Sequence, residues 1–355
     1  MKKTKGYLSH VFVDGLSGMA IGLFATLIIG TIIGQIGSML NQSWAFTRYL
    51  LMIANCAKFI MGAGIGVGIA SKYRSTPLVA VSAAVAGMVG AQSVNIINST
   101  IKFGVCGDPL SAFIAAFVAI EIGDLVAGKT NVDIIVTPAA SILSGAAVGL
   151  IVGPYANQFM SWLGSIIEWA TRQQPFLMGI VISVLMGIFL TLPISSAAIG
   201  VMLHLSGISA GAAVVGCCCQ MVGFAVASYR ENKVSGLIAQ GLGTSMLQMP
   251  NIIRRPLIWI PPILTSAILG PVSTCLVEIT CSEVGAGMGT SGLVGVIDTF
   301  DSMLKTSSDT IITVILILIM LIIAPALLTL IFSEGMRRVG LIKNGDMSLD
   351  LKMSK

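Results

Sequence analysis

Two short stretches carry most of the chemistry this chain offers. Residues 241–247 read GLGTSML and residues 287–293 read GMGTSGL, so the skeleton Gly-x-Gly-Thr-Ser-x-Leu occurs twice. Glycine lets a chain turn through backbone regions closed to other residues and lets a ligand come close to the main chain, while Thr and Ser add hydroxyls that both donate and accept. Around the first copy sit five neutral amides, Gln220, Asn232, Gln240, Gln248 and Asn251. Amides and hydroxyls suit a polyhydroxylated solute, because each hydroxyl of such a solute wants a donor and an acceptor. The competing reading is hydrogen bonding between helices, worth about 0.6–2 kcal/mol per contact in a membrane.

The ionisable groups are few. Glu121 and Asp124 lie in VAIEIGDLVAG, His204 ends AAIGVMLHLSG, Glu231 stands beside Arg230 and Lys233, and Glu278 and Glu283 precede the second copy. A charge inside an apolar run is costly, so Glu121 is a functional candidate by default. His204 suits a proton shuttle or a hydroxyl partner, and equally a structural hydrogen bond near a helix end. Pro193, Ser195 and Ser196 in TLPISSAAIG predict a kink, since proline frees a carbonyl that a serine can bond. Cys217, Cys218 and Cys219 are consecutive, point in three directions round a helix, and read as compact filler rather than a metal site. GAGIGVG at 62–68 has no Lys-Ser/Thr after it and reads as a packing face, not a phosphate loop. With no nucleophile triad, HExxH, Walker motif or Cys/His cluster, the sequence predicts no catalytic residue, no metal and no cofactor, and no enzyme acting alone.

The elements that must position these groups are membrane helices. Hydrophobic residues make up 55% of the chain and charged ones 10%, with a mean hydropathy of +0.95, against about 25% charged in soluble domains. The expected fold class is an all-α polytopic membrane protein embedded in the lipid bilayer. The 40 glycines fit it, because close helix packing replaces the hydrophobic drive that lipid removes. A net charge of +5 is placed at helix ends, which points to topology rather than to nucleic acid. The N-terminal MKKTKG precedes an apolar run from Gly18 to Ile36 that is too long for a signal peptide.

Hydropathy predicts about ten transmembrane helices, at 12–38, 48–70, 76–97, 109–128, 132–153, 155–171, 175–204, 209–228, 257–279 and 309–332. The segment 155–171, with Trp162, Glu168 and Trp169, also suits a helix lying along the interface. Lys2, Lys3 and Lys5, then Lys72 and Arg74, Lys129, Arg172, Arg230 and Lys233, and finally Arg337, Arg338 and Lys343 fall on one side; Glu278, Glu283, Asp298, Asp301 and Asp309 fall on the other. That bias puts both termini in the cytoplasm. Two segments do not read as crossings. Residues 234–252 begin and end between basic groups, and residues 283–296 are too short to cross and sit among acidic groups. Both are expected to be re-entrant hairpins, entering from opposite faces and bringing the two Gly-Thr-Ser tips together near the midplane. The expected solute contacts are Gln240, Gly243, Thr244, Ser245, Gln248 and Asn251 from the first and Gly289, Thr290 and Ser291 from the second.

The stretches IGVGIASKY, DIIVTPAASILSGAAVGLIVGPY, TLPISSAAIG and SGLIAQGLGTSMLQMPNIIRRPLIWIPP resemble the enzyme IIC membrane component of bacterial phosphotransferase (PTS) sugar transporters. Within it they are similar to the IIC-like family that includes the PfoR-type regulatory membrane proteins, over most of residues 10–335. The resemblance implies a homodimer in a bacterial cell membrane, with residues 1–172 as a dimerising scaffold, 173–335 as the substrate-binding half and 336–355 as a cytoplasmic tail. It further implies an elevator-like shift of the hairpin-bearing part, a sugar or polyol as substrate, and phosphorylation by a IIB partner fed by IIA. The residues after Leu341 leave no room in this sequence for a fused IIA or IIB domain, so the relay is expected from separate chains. Glu283 and His204 are carried over as further polar contacts to the solute. Two alternatives stand beside this reading: a PfoR-type sensor that keeps the fold without transport, and an ion-coupled transporter using Glu121 and the acidic flank of the second hairpin.

Overall fold

The computed structural model describes residues 10–40, 44–97, 100–103, 108–171, 173–305 and 310–349. Of the charges used for topology, Lys2, Lys3, Lys5, Arg172 and Asp309 lie outside the described residues. Among the described residues the chain is helical apart from one two-stranded antiparallel sheet, and it divides into two compact units, Met1–Phe159 and Met160–Lys355.

The first unit runs α1 (Val13–Ser38), α2 (Ala45–Phe59), α3 (Met61–Tyr73), α4 (Pro77–Gly90), strands β1 (Val94–Ile97) and β2 (Thr100–Phe103), α5 (Pro109–Val126) and the first part of α6 (Asp133–Thr171). The start signals are local: Thr76 and Asp108 accept hydrogen bonds from the amides of Val79 and Ser111, each followed by a proline at the first helical position. The strands pair antiparallel, Val94 opposite Phe103, so the expected helix 76–97 ends at Gly90. The glycine run works by its i, i+4 spacing. Gly64 and Gly68 face Gly22 and Gly18 of α1, while Gly62 and Gly66 face Gly87 and Ala83 of α4; a methyl at Gly62, Gly66 or Gly68 would overlap a neighbouring backbone, and one at Gly64 would overlap the Thr26 side chain. One helix thereby packs backbone to backbone on two opposite sides, as the small-residue run predicts.

Residues 132–153 and 155–171 form one helix rather than two. α6 runs 39 residues through Pro138 and Pro154. Only Asp133–Ala156 is apolar enough to cross, and Trp162 and Trp169 beyond it are exposed.

The second unit continues with α7 (Pro175–Thr191), α8 (Ser196–Met202), α9 (Gly207–Ala227), α10 (Tyr229–Ile238), α11 (Met249–Arg254), α12 (Pro256–Cys275), the single turn α13 (Glu283–Ala286), α14 (Val294–Leu304) and α15 (Thr310–Arg338). The expected long span 175–204 is broken at residues 192–195, where TLPISS places its proline. α9 is the axis of this unit: it is buried almost throughout, and α7, α12 and α15 pack against it. Cys217, Cys218 and Cys219 are fully buried there. Among the described residues six helices are long and apolar enough to cross a membrane, or seven if α2 and α3, bent by 54° at Ile60, count as one. α4 and α7 are apolar but shorter.

Candidate functional site

The first Gly-Thr-Ser stretch follows a wide turn. After α10 the chain makes a π turn over Ala239–Gly243, extends at Thr244 (φ −160, ψ 143), and resumes as a 3-10 turn over Ser245–Gln248 leading into α11. Thr244 causes that restart: its Oγ1 accepts from the Met246 amide at 3.2 Å. The second stretch reverses through left-handed backbone at Gly289, Gly292 and Leu293 (φ 54, 55 and 62). Its arms are tied at the base by Ser282 Oγ, which donates to Asp298 Oδ2 at 2.6 Å. Gly289 is required twice over: its φ is positive, and a Cβ there would stand 2.9 Å from the Cys217 Cβ of α9.

The two stretches touch. Thr290 Oγ1 donates to the Gly241 carbonyl and lies 3.6 Å from the Met221 sulfur of α9. In the first stretch, Ser245 Oγ shares a 2.8 Å hydrogen bond with Thr191 Oγ1 at the end of α7. Trp259 Nε1 donates to Gln220 Oε1 at 3.0 Å, and Thr191 Oγ1 lies 3.3 Å from the same oxygen, its single hydrogen shared with the Gly187 carbonyl at 3.2 Å. This fixes the Gln220 amide with its oxygen occupied and its nitrogen turned away. Gln220 Nε2 and Ser291 Oγ have no hydrogen-bond partner among the described residues, although the two residues are 0% and 2% exposed. A buried polar atom without a partner costs about 1–3 kcal/mol, so Gln220 on α9 and Ser291 on the second stretch are each left with an unmet hydrogen bond.

The remaining expected contacts separate into two other groups. Gln240, Gln248 and Asn251 form a relay: Gln248 Nε2 donates to Gln240 Oε1 at 2.9 Å, and Asn251 Nδ2 to Gln248 Oε1 at 2.8 Å. Gln240 Nε2 is spent on Ser228 Oγ and the Gly236 carbonyl. The far end of the relay reaches the chain terminus, with Gln248 donating to the Met347 carbonyl and Asn251 to that of Ser348. Gly243 lines the same turn and is buried. His204 and Glu283 pair with each other, Nδ1 to Oε1 at 3.1 Å, on an exposed surface where 82% of the His204 side chain is open. No described hydrogen bond joins that pair to either Gly-Thr-Ser stretch.

Glu121 of the first unit is engaged by His10, Nε2 to Oε1 at 3.2 Å, and Tyr73 stacks on that imidazole at 3.8 Å. Asp124 accepts from Ser75 Oγ. Thr191 and Trp259 escaped the sequence reading. Thr191 opens TLPISS, which reads as a hinge, and Trp259 sits in RRPLIWIPP, which reads as the start of a membrane span. Their convergence on Gln220 is a matter of helix packing and leaves no spacing signal.

Against known families, the model described as Phosphotransferase system, EIIC matches residues 13–349. No curated protein matches the chain.

Proposed function

The chain belongs to the phosphotransferase system EIIC family, a multi-pass membrane transport component, and we propose that it binds a sugar or polyol where its two Gly-Thr-Ser stretches meet and carries that solute across the membrane. The observation that carries this reading is that Gln220 Nε2 of α9 and Ser291 Oγ of the second stretch are buried without a partner among the described residues, while the two stretches meet through Thr290 and Gly241. A carbohydrate hydroxyl accepts from the amide and either donates to or accepts from the serine, so a polyhydroxylated ligand supplies what both atoms lack. Gly243, Gly289, Thr244, Ser245 and Thr290 shape the tips. Gln240, Gln248 and Asn251 hold the first tip from behind, and His204 with Glu283 meets solute on its way in or out. Residues 234–252 and 283–296 act as re-entrant hairpins whose irregular backbone faces a cavity rather than lipid.

Phosphorylation is assigned to a separate IIB protein charged by IIA, which trap the solute as it reaches the cytoplasmic side. The first unit serves as the dimerising scaffold; Trp44, Phe46, Tyr49 and Met52 of α2 and its approach form an exposed apolar face suited to a second copy or to lipid. Both termini are placed in the cytoplasm. Single cysteines at Gln173 and Asn344, labelled from each side of sealed vesicles, check that placement and whether the far end of α6 returns to the side of Lys129.

The test of function is uptake. Purified chain in vesicles, supplied with IIB, IIA and a phosphoryl donor, accumulates a phosphorylated sugar if the reading holds. Absence of uptake for every sugar and polyol tried, with those partners active on another permease, overturns transport. Binding without uptake selects the sensor, a reading favoured by the chain terminus being bonded to the first tip.

A further inference from the structure

The segment after α15 is folded onto the second unit. Ile342 and Met347 are 2% and 0% exposed and share an apolar cluster with Phe224, Ala227, Ile252 and Ile258. Its main chain is held by three amide side chains. Asn232 Nδ2 and Gln248 Nε2 both donate to the Met347 carbonyl, at 2.8 and 3.0 Å. Asn251 Nδ2 donates to the Ser348 carbonyl at 2.8 Å, and the Leu349 amide donates back to Asn232 Oδ1 at 2.7 Å. Asn232 thus grips the segment with both ends of one amide, one donating and one accepting.

Two features make this grip more than an end cap. Gln248 closes the 3-10 turn that Thr244 starts, and its single amide nitrogen is divided between Met347 and Gln240. The terminal segment is therefore bonded directly to the turn that carries Thr244 and Ser245. The grip combines neutral hydrogen bonds and two apolar side chains with charged contacts: Arg255 lies 3.7 Å from Asp346, Arg337 Nη1 donates to Asn344 Oδ1 at 3.1 Å, and the Gly345 amide donates to Glu231 Oε1 at 3.4 Å. Arg255 is 64% exposed, so its ion pair adds only about 0–1 kcal/mol, and each neutral hydrogen bond adds about 1 kcal/mol. Against them stands about 1–2 kcal/mol of backbone entropy for each residue ordered, which is the opposition a releasable contact requires.

We propose that residues 342–349 are a releasable strap that holds the first Gly-Thr-Ser tip in place, and that letting go of Met347 frees Gln248 and the tip to move. The inference concerns the second unit's own mechanics and stands whether or not the solute is a sugar.

Hydrogen–deuterium exchange on the full chain in lipid nanodiscs tests it, comparing the unmodified protein with Asn232→Asp combined with Met347→Ala. Asp keeps the acceptor used by Leu349 but removes the donor to Met347, Ala empties the apolar seat, and neither change touches Gln248 or Thr244. The expected result is exchange at least tenfold faster in 342–349 and in 239–248, with α9 and α12 unchanged. A loosened terminus beside an unchanged 239–248 overturns the coupling, as does a terminus that does not loosen. Faster exchange spread equally over α9 and α12 makes the segment a general structural clamp and also overturns it. If the double variant does not assemble, a chain ending at Leu341 is read over 239–248, α9 and α12: faster exchange confined to 239–248 supports the strap, and exchange that is unchanged there or equally faster in α9 and α12 overturns it. Failure of both to fold shows that the strap cannot release.

Discussion

Ser291→Ala separates a binding role from a packing role, because the two make opposite predictions for the same atom. Ser291 is 2% exposed and its hydroxyl has no partner among the described residues. Folding therefore buries that hydroxyl at a cost of about 1–3 kcal/mol, which an alanine avoids while leaving a void no larger than one oxygen. The unliganded variant should be at least as stable as the parent. Binding should move the other way: losing one neutral hydrogen bond to a solute costs about 0.5–1.5 kcal/mol, or roughly two- to twelvefold in Kd. Thermal unfolding of the detergent-purified chain across a titration of each candidate sugar reads both quantities at once. Thr299→Val is the control, since Thr299 Oγ1 donates to the Gly295 carbonyl of its own helix and should not affect the solute. An unliganded variant less stable than the parent, with Kd unchanged, would refute the reasoning: Ser291 would then be a packing hydroxyl.

Three further outcomes follow from the packing and charges. Gly66→Val should destabilise the first unit by more than the 1–3 kcal/mol typical of overpacking, because the new side chain meets the Ala83 backbone rather than a movable side chain; thermal unfolding checks it. Arg337→Ala leaves Glu231, whose side chain is 7% exposed, without its 2.9 Å partner, at a cost of about 3–5 kcal/mol. Glu231→Gln with Arg337→Met should recover most of that loss in the same assay. Gly289→Ala forces a Cβ into left-handed backbone, about 1–2 kcal/mol, and against the Cys217 backbone and side chain, so it should lower the unliganded melting point by more than the left-handed strain alone and weaken solute-dependent stabilisation as well; thermal unfolding with and without sugar checks both.

How much of this was legible in the sequence depends on how far the cause of each feature reaches along the chain. Membrane helices are legible because lipid imposes a composition on every residue facing it, and the glycine run because i, i+4 spacing is a local matter. The charges flanking residues 241–247 and 287–293 lead to the expectation of two hairpins whose tips meet, and of that expectation the structure shows the contact itself, Thr290 bonding to Gly241. The amides were legible as a cluster but not in their partners. Asn232, Gln248 and Asn251 lie 115, 99 and 97 residues from the carbonyls they hold, and the terminal segment KNGDMSLD reads as a polar tail because hydropathy does not register one buried methionine. His204 and Glu283 were both singled out, and their pairing away from the tips is set by the break after α7, which turns α8 to face α13. The single helix α6 was missed because glycine and proline at 153–154 read as a stop in water, whereas helices in membranes run through them.

The central claim is that a solute sits between the two Gly-Thr-Ser stretches against α9. The most direct measurement is a density map of the full chain in nanodiscs with whichever sugar or polyol most raises its melting temperature. The account predicts density within hydrogen-bond reach of Gln220 Nε2 and Ser291 Oγ, with Thr290 and Ser245 alongside. Density at the exposed His204–Glu283 pair, with Gln220 and Ser291 still unpartnered, would contradict it.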